Sequence, residues 1–234
     1  GINDVFDYES DLRNPRKGGI EGALLAPKWH RLTIWAAIIS SFPFVLHLYV
    51  YGNLSSNIWT TVILFTVIAY SAKGLRFKEK PFLDSITSAS HFVGPMLIGA
   101  SLAGADLLEP KLLLITLAFT LWGIASHAFG AVQDVKADRE GGISSIATVI
   151  GARATVWFAF LAYAAAGILV LFTGMPAAFS AIAAVPYMAI VAAHLGITDE
   201  RCEEANRGWK RFLWLNIFAG AVVSMIVIRF VANG

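Results

Sequence analysis

Charged residues are scarce in this 234-residue chain: they make up 15% of it, against about 25% in an ordinary soluble domain. Hydrophobic residues make up 57%, against about 45–50%, which argues against a soluble enzyme. Neither sign of charge dominates. Eighteen Lys and Arg face 16 Asp and Glu for a net charge of +2, so there is no bulk electrostatic case for a nucleic acid or other polyanionic partner. Cysteine is almost missing. Cys202, alone, can form no internal disulfide and lacks the paired spacing of a zinc or redox motif, so it is read as structural. No cleavable signal peptide, hydrophilic linker or low-complexity tract is visible, and a single membrane domain over residues 1–234 is the expected organisation. The opening at Gly1, inside a polar motif, is the one expected of an N-terminally truncated chain.

Long apolar runs are what the sequence has in abundance. A span needs about 20 mostly apolar residues to cross a ~30 Å hydrocarbon layer. Seven runs qualify: Leu32–Tyr51, Asn57–Ala72, Ile86–Ala105, Leu112–Val132, Ala154–Thr173, Ala177–Ile197 and Phe212–Ile228. Alternating polar residues are too few for the strands of a lipid-facing barrel, so the expected fold class is all-α, a polytopic membrane helix bundle. The connections divide by charge. Arg13, Arg16, Lys17, Lys28 and Arg31 precede the first run, and Lys73, Arg76, Lys78 and Lys80 follow the second. Lys136, Arg139 and Arg153 follow the fourth, and Arg201, Arg207, Lys210 and Arg211 precede the last. Only Lys111 and Arg229 remain for the other face, which places the charged face in the cytoplasm by the positive-inside rule.

Carboxylates recur on that charged face with helical spacing. Asn3, Asp7 and Asp11 stand at i, i+4 and i+8, stacked along one side of a helix. Asp134 and Asp138 repeat the four-residue step at the end of another apolar run. Even the sequels agree: Arg16-Lys17-Gly18-Gly19-Ile20 follows the first motif and Arg139-Glu140-Gly141-Gly142-Ile143 the second. Clustered carboxylates repel one another, and a bound cation relieves that repulsion most simply. Hard oxygen donors suit Mg²⁺, which commonly joins one or two carboxylates to substrate phosphates, whereas neither segment has the loop pattern of an EF-hand. A third element, Tyr70-Ser71-Ala72-Lys73-Gly74-Leu75-Arg76-Phe77-Lys78-Glu79-Lys80, leaves a span on the same face. Its Arg forks and Lys charges suit phosphate oxygens, so with the carboxylates it would make a diphosphate site; the plainer alternative is a stop-transfer cluster on anionic headgroups. His91 and His127 lie within or near spans on the charged side, where they either line a cavity or are hydrogen-bonded core residues. Asp84 and Asn206 read as loop caps or surface groups, and Gly94, Gly99 and Gly104 as places where helices approach closely. Pro43, Pro95 and Pro186 mark possible kinks.

Taken together these residues resemble the UbiA-type intramembrane prenyltransferases. Their signatures are an N-x-x-x-D-x-x-x-D first motif, a D-x-x-x-D second motif and a Tyr-Ser basic loop between them, all present here in order. Within that family, Asn3–Gly22, Tyr70–Ser85 and His127–Arg153 look most like the lycopene elongases that make C50 carotenoids. Lys73-Gly74 departs from the Pro-Pro that follows Tyr-Ser in many relatives. The resemblance implies a bundle of nine helices around a cavity open sideways to lipid, of which this chain would hold about seven, lacking the first and most of the second. It implies that Asn3, Asp7, Asp11, Asp134 and Asp138 bind Mg²⁺, as two ions bridging an allylic diphosphate. Arg76 and Lys78 would contact that diphosphate, with Lys73, Arg139 and Tyr70 as further contacts. Asp7, Asp11, Asp134, Asp138, Arg76 and Lys78 would thus be the catalytic set. The implied donor is dimethylallyl diphosphate and the implied acceptor lycopene, with aromatic rings such as Trp122, Phe119, Phe129 and Phe92 near the allyl cation. An aromatic acid, a chlorophyll-type alcohol or an archaeal glycerol lipid are alternative acceptors. A cation transporter fits less well, because its ionisable groups would stand near midplane and the span centres here are almost free of them.

Overall fold

The structure, a computed structural model, describes residues 2–6, 8, 12, 24–175 and 177–233, with the side chains of residues 2, 3 and 226–233 outside that description. Asp7 and Asp11 of the first motif, the side chain of Asn3, and Arg13, Arg16 and Lys17 all fall outside it. Among the described residues the chain is helical without strands. A short α1 (Ile2–Phe6) is followed, after a 3-10 turn at Pro27–Trp29, by α2 (His30–Tyr51) and α3 (Leu54–Ser71). Beyond a second 3-10 turn at Phe77–Glu79 come α4 (Leu83–Leu102) and α5 (Pro110–Val132). Two short helices, α6 (Val135–Glu140) and α7 (Ile146–Ile150), lead to α8 (Ala152–Leu171). A 3-10 segment at Ala177–Ala183, α9 (Ala184–Ala192), a 3-10 segment at Asp199–Glu204 and α10 (Ala205–Asn233) complete the order.

Local chemistry sets several of these boundaries. Asn53 caps α3, its side chain accepting from the Ser56 N–H at 2.9 Å. Glu109 caps α5 by accepting from the Leu112 N–H at 2.8 Å, with Pro110 in the first turn where its missing N–H costs nothing. Ser145 and Thr148 form a reciprocal capping box that starts α7. Four helical segments are long and apolar enough to cross a membrane by length and composition: Pro27–Tyr51, Leu54–Ser71, Pro110–Val132 and Ala152–Leu171. The other three expected spans differ for identifiable reasons. α4 is long enough but opens on Asp84, Ser85, Thr87, Ser88, Ser90 and His91. The run expected at Ala177–Ile197 is broken into a 3-10 segment and the short α9. α10 begins with Asn206, Arg207, Lys210 and Arg211 before it becomes apolar.

α5 is the hub, lying between α4 and α8. The core runs through Ala125, Phe129 and Val132 of α5, Val156, Ala159 and Tyr163 of α8, Tyr187 and Val191 of α9, and Phe212 of α10. Trp122 joins these elements, its ring edge-on to Tyr187 at 6.0 Å and stacked on Phe212 at 6.4 Å. The outer faces of the long helices are apolar, and α2 buries none of its residues. Large apolar side chains such as Phe44, Leu54 and Ile182 are accordingly exposed.

Of the three glycines expected to bring helices together, only Gly94 does so: a Cβ there would overlap the Ile63 side chain of α3. Gly99 faces open space, and Gly104 ends α4 at φ +74. The tighter contact is Gly123, where a Cβ would stand 2.8 Å from Ala89 Cβ and 2.9 Å from Ala89 Cα, so α4 and α5 meet backbone to backbone. Gly123→Leu is accordingly expected to force the two helices apart and cost about 2–3 kcal/mol. Gly99→Ala, with nothing within 4 Å, should be neutral or stabilising by roughly 0.5–1 kcal/mol. Thermal unfolding of the two purified variants in detergent distinguishes them.

Candidate active site

The ends of the long helices that carry the basic connections gather at one end of the bundle. Asp134 and Asp138 stand there on α6, immediately beyond the end of α5. Asp134 precedes the helix and its backbone carbonyl accepts from the Asp138 N–H at 2.8 Å, so the two residues are one turn apart on a short, regular helix. Gln133, buried at the end of α5, ties this corner to α10. Its Oε1 accepts from Asn206 Nδ2 at 2.6 Å, and its Nε2 donates to the Gly130 carbonyl at 3.0 Å.

The basic loop leaves α3 where Ala72 turns extended. Gly74 has φ +92, a conformation that an L side chain resists. Arg76 (φ 40, ψ 55) and Phe82 (φ 67, ψ −40) take up positive φ without being glycine. Such residues store roughly 1–3 kcal/mol of strain each and persist only where the surroundings over-determine them. The Arg76 guanidinium is paired with the Glu79 carboxylate and holds that carboxyl below the usual carboxylate range. Lys80 Nζ lies over the Phe77 ring at 5.0 Å from its centroid. Arg76 and Lys78 are half-buried and Lys73 is exposed.

Both ends of this loop are pinned to the segments that flank the carboxylate pair. At one end, Tyr70 OH lies 3.4 Å from His127 Nε2 of α5, and its ring is edge-on to His91 at 5.4 Å. At the other end, Asp84 is fully buried. Its Oδ2 accepts from the Ile146 N–H at 2.8 Å, and its Oδ1 from the Ser85 N–H at 2.6 Å and the Ser85 hydroxyl at 3.2 Å. Asp84 is thus not a surface group: besides the first-turn N–H of Ser85 in its own helix, it satisfies the first N–H of α7, 62 residues on. Its one hint in the sequence was a lone acid opening an apolar run. Likewise Asn206, expected at the surface, is a polar tie to buried Gln133.

Arg139 holds the other flank. Its Nη1 donates to Asp199 Oδ2 at 2.7 Å and its Nη2 to the Thr148 carbonyl at 2.9 Å. Asp199 Oδ1 accepts from the Ala152 N–H at 2.6 Å, satisfying the first turn of α8. That backbone bond, helped by the Arg139 guanidinium, holds the Asp199 carboxyl below the usual carboxylate range. A folded-state value below the unfolded one means that the stabilisation is complete above the unfolded value, about 3.9, and fades as pH falls through the folded one. Asp199→Ala removes the acceptor of the Ala152 N–H and should cost about 1 kcal/mol at pH 7, the ordinary worth of one such hydrogen bond, the ion pair at this exposed position adding little. Unfolding measured from pH 7 down to 3 should show the gap between variant and unmodified protein closing on the acid side.

Of the expected aromatic set, Phe129 is wholly buried and packs on His194, ring centroids 5.7 Å apart, so it serves the core. Phe92, Phe119 and Trp122 form one ring cluster, Trp122 lying 5.4 Å from each of the others. Among the described residues no group of three or more His, Cys, Asp or Glu side chains could hold a metal ion. Asp134 and Asp138 are two of the five expected ligands, and the side chains of the other three, Asn3, Asp7 and Asp11, lie outside the described residues. Two carboxylates one turn apart are a hard-oxygen donor pair that fits Mg²⁺, with phosphate oxygens completing its shell.

A helical membrane bundle with a carboxylate pair and a strained basic loop tied together at one end defines a narrow class. Residues 1–217 match the UbiA prenyltransferase family, and the chain belongs to that family. Within it, the chain is 54% identical over 229 residues to the C(50) beta-cyclic carotenoids biosynthesis protein LbtBC of Dietzia sp. (strain CQ4). It is 51% identical over 229 residues to the lycopene elongase/hydratase of Corynebacterium glutamicum, and either match takes in 97% of the chain. The chain spans 53% of the Dietzia protein and 79% of the Corynebacterium one. The lycopene elongase/hydratase of Haloferax volcanii is 30% identical over 159 residues, covering 68% of this chain and 50% of that protein. No solved structure matches the chain.

Proposed function

We propose that the protein transfers a prenyl group from an allylic diphosphate, dimethylallyl diphosphate, to lycopene in C50 carotenoid biosynthesis, within the cytoplasmic membrane and with its charged end in the cytoplasm. The observation that carries this reading is the double anchoring of the basic loop. Tyr70 on one side and Asp84 on the other tie it to the segments bordering Asp134 and Asp138, so cationic and carboxylate groups share one end of an apolar bundle. The names of the similar proteins, lycopene elongase/hydratase among them, support the acceptor.

In this reading Asp134 and Asp138, with Asn3, Asp7 and Asp11, hold Mg²⁺, whose chemistry when bound is to neutralise charge building up on the leaving diphosphate. Arg76 and Lys78 grip the diphosphate, with Lys73 and Tyr70 beside them. Arg76 exchanges its Glu79 partner for a phosphate oxygen, and Arg139 reaches the site only by giving up Asp199. The apolar helices admit a long polyene sideways and keep water from the allyl cation until the new carbon–carbon bond has formed. The test is expression of the intact gene in a lycopene-accumulating bacterium. Carotenoids heavier by one and two C5 units are expected. Unchanged lycopene, with the protein present in the membrane, would reject this acceptor and redirect the search to aromatic acids and lipid alcohols.

A further inference from the structure

A cavity of about 640 Å³ opens beside the start of α8, within the roughly 300–1,000 Å³ of ordinary ligand sites. The residues lining it include Arg153 and Trp157 of α8 and the facing Ile197, Thr198, Asp199 and Glu200. Neither Asp134 and Asp138 nor the basic loop between α3 and α4 lines it, so it is separate from the candidate active site. We propose that this cavity seats the headgroup of a phospholipid that carries a primary ammonium, its phosphate on Arg153, its ammonium on Glu200 and its acyl chains along α8.

The charges in and around the cavity point to such a ligand. Three cations stand between α5 and the body of α8. Lys136 faces the Glu203 carboxylate at 4.0 Å, and Arg139 is paired with Asp199 at 2.7 Å. Arg153 is exposed and has no hydrogen bond or ion pair among the described residues. Its planar fork suits phosphate oxygens. The two acids of the cavity differ in the same way. Both oxygens of Asp199 are occupied, Oδ1 by the Ala152 N–H at 2.6 Å and Oδ2 by Arg139. Glu200 is exposed, and the Thr198 hydroxyl beside it holds its carboxyl below the usual carboxylate range, so it is ionised at neutral pH. A ligand bearing phosphate alone would set its negative charge near the Glu200 carboxylate. A phosphate joined to an ammonium answers both charges, and a primary ammonium also brings N–H donors that a quaternary one lacks.

The surface leading away from the cavity suits acyl chains. Arg153 lies in the first turn of α8, and Trp157 follows one turn, about 6 Å, further along. Trp157, Leu161, Ile168 and Leu171 share one exposed face of that helix. A tryptophan between a cation and an apolar stripe has the amphipathic place of a residue at the membrane–water interface, where headgroup gives way to chain. The helix is also one of the four long and apolar enough to cross a membrane. A phospholipid standing against α8 would therefore meet charge, then indole, then hydrocarbon-facing side chains, in the order of its own parts.

The experiment uses the intact protein, purified in detergent, freed of co-purified lipid and titrated with phosphatidylethanolamine, phosphatidylcholine or phosphatidylglycerol of matched chains. Native mass spectrometry reads the bound lipid. Phosphatidylethanolamine should bind at one site roughly tenfold more tightly than either of the others. Arg153→Gln should weaken that binding roughly tenfold, and Glu200→Gln should remove the preference over phosphatidylglycerol. Both side chains are exposed, so both variants should melt at the temperature of the unmodified protein. Glycerophosphoethanolamine, the headgroup without its chains, should compete at least about a hundredfold less well, because nothing in it meets the apolar face of α8. Equal retention of the three lipids, tighter retention of phosphatidylglycerol, or an unchanged preference in both folded variants would overturn the assignment. Competition by glycerophosphoethanolamine at the concentration of the lipid itself would overturn it too, showing a site for a soluble phosphate ester. None of these outcomes depends on the prenyl donor or acceptor, so the transfer reading stands or falls separately.

Discussion

Asp134→Asn should be made and inserted in normal amount yet transfer prenyl groups roughly a hundred to a thousand times more slowly than the unmodified protein. The reason to expect function to fail before folding is local. Asp134 precedes α6, but its carboxyl group does not cap that helix, and the residue lies outside the buried core cluster. The Asn side chain has nearly the same shape and keeps one carbonyl oxygen. What it loses is the negative charge that hard-cation binding requires. Its activity should therefore need more Mg²⁺ than that of the unmodified protein, and chelation should abolish both. The measurement is the initial rate of C5 addition in isolated membranes, normalised to protein, over a series of Mg²⁺ concentrations. A rate within threefold of normal at every concentration would remove Asp134 from the metal-binding set. Asp138→Asn, one turn along, is expected to behave in the same way.

The fold class was legible in the sequence because it is written in local patterns, and so was the helical spacing of the candidate carboxylates. An apolar run of span length becomes a helix wherever it occurs, and carboxylates four apart share a helix face once the helix forms. Accordingly each expected run falls in helical structure, although Ala177–Ile197 is broken and α4 opens on polar residues. What could not be read was pairing between distant segments. Asp84 looked like a loop cap because its partner, the Ile146 backbone, is 62 residues away, and a backbone N–H has no signature in sequence. Arg139, a further diphosphate contact by the resemblance, has its guanidinium engaged by Asp199 and the Thr148 carbonyl, a pairing that no local pattern announces. The glycine contact that matters, Gly123 on Ala89, stood outside the small-residue pattern because only the packed pair of helices reveals which face meets which. Local spacing thus picks out the candidate residues, and long-range hydrogen bonds explain how the segments that carry them are held in place.

The largest stability effect should come from one of those long-range bonds. Asp84→Ala removes the acceptor of the Ile146 N–H and of the Ser85 N–H, both in the buried interior of the charged end. Neither donor has water to turn to, and each buried donor left unsatisfied costs about 1–3 kcal/mol, so a total of roughly 3–5 kcal/mol is expected. The loss would concentrate at α7, a five-residue helix that depends on its cap and on the Ser145–Thr148 box for definition. From there it would reach α8 through the Arg139 bond to Thr148, since Arg139 also holds Asp199 against the Ala152 N–H. Asp84→Asn makes a useful contrast. Its amide oxygen can serve one donor, so it should retain part of the stability and give an intermediate melting temperature. Hydrogen exchange on the detergent-solubilised protein is the sharper measurement. Amides of residues 145–152 should lose protection in Asp84→Ala, while those in the middle of α3, remote from the buried carboxyl group, should stay protected. Uniform loss of protection through all the helices would mean that Asp84 supports the whole bundle. No loss at 145–152 would show that its bond to Ile146 contributes nothing to holding α7 against α4.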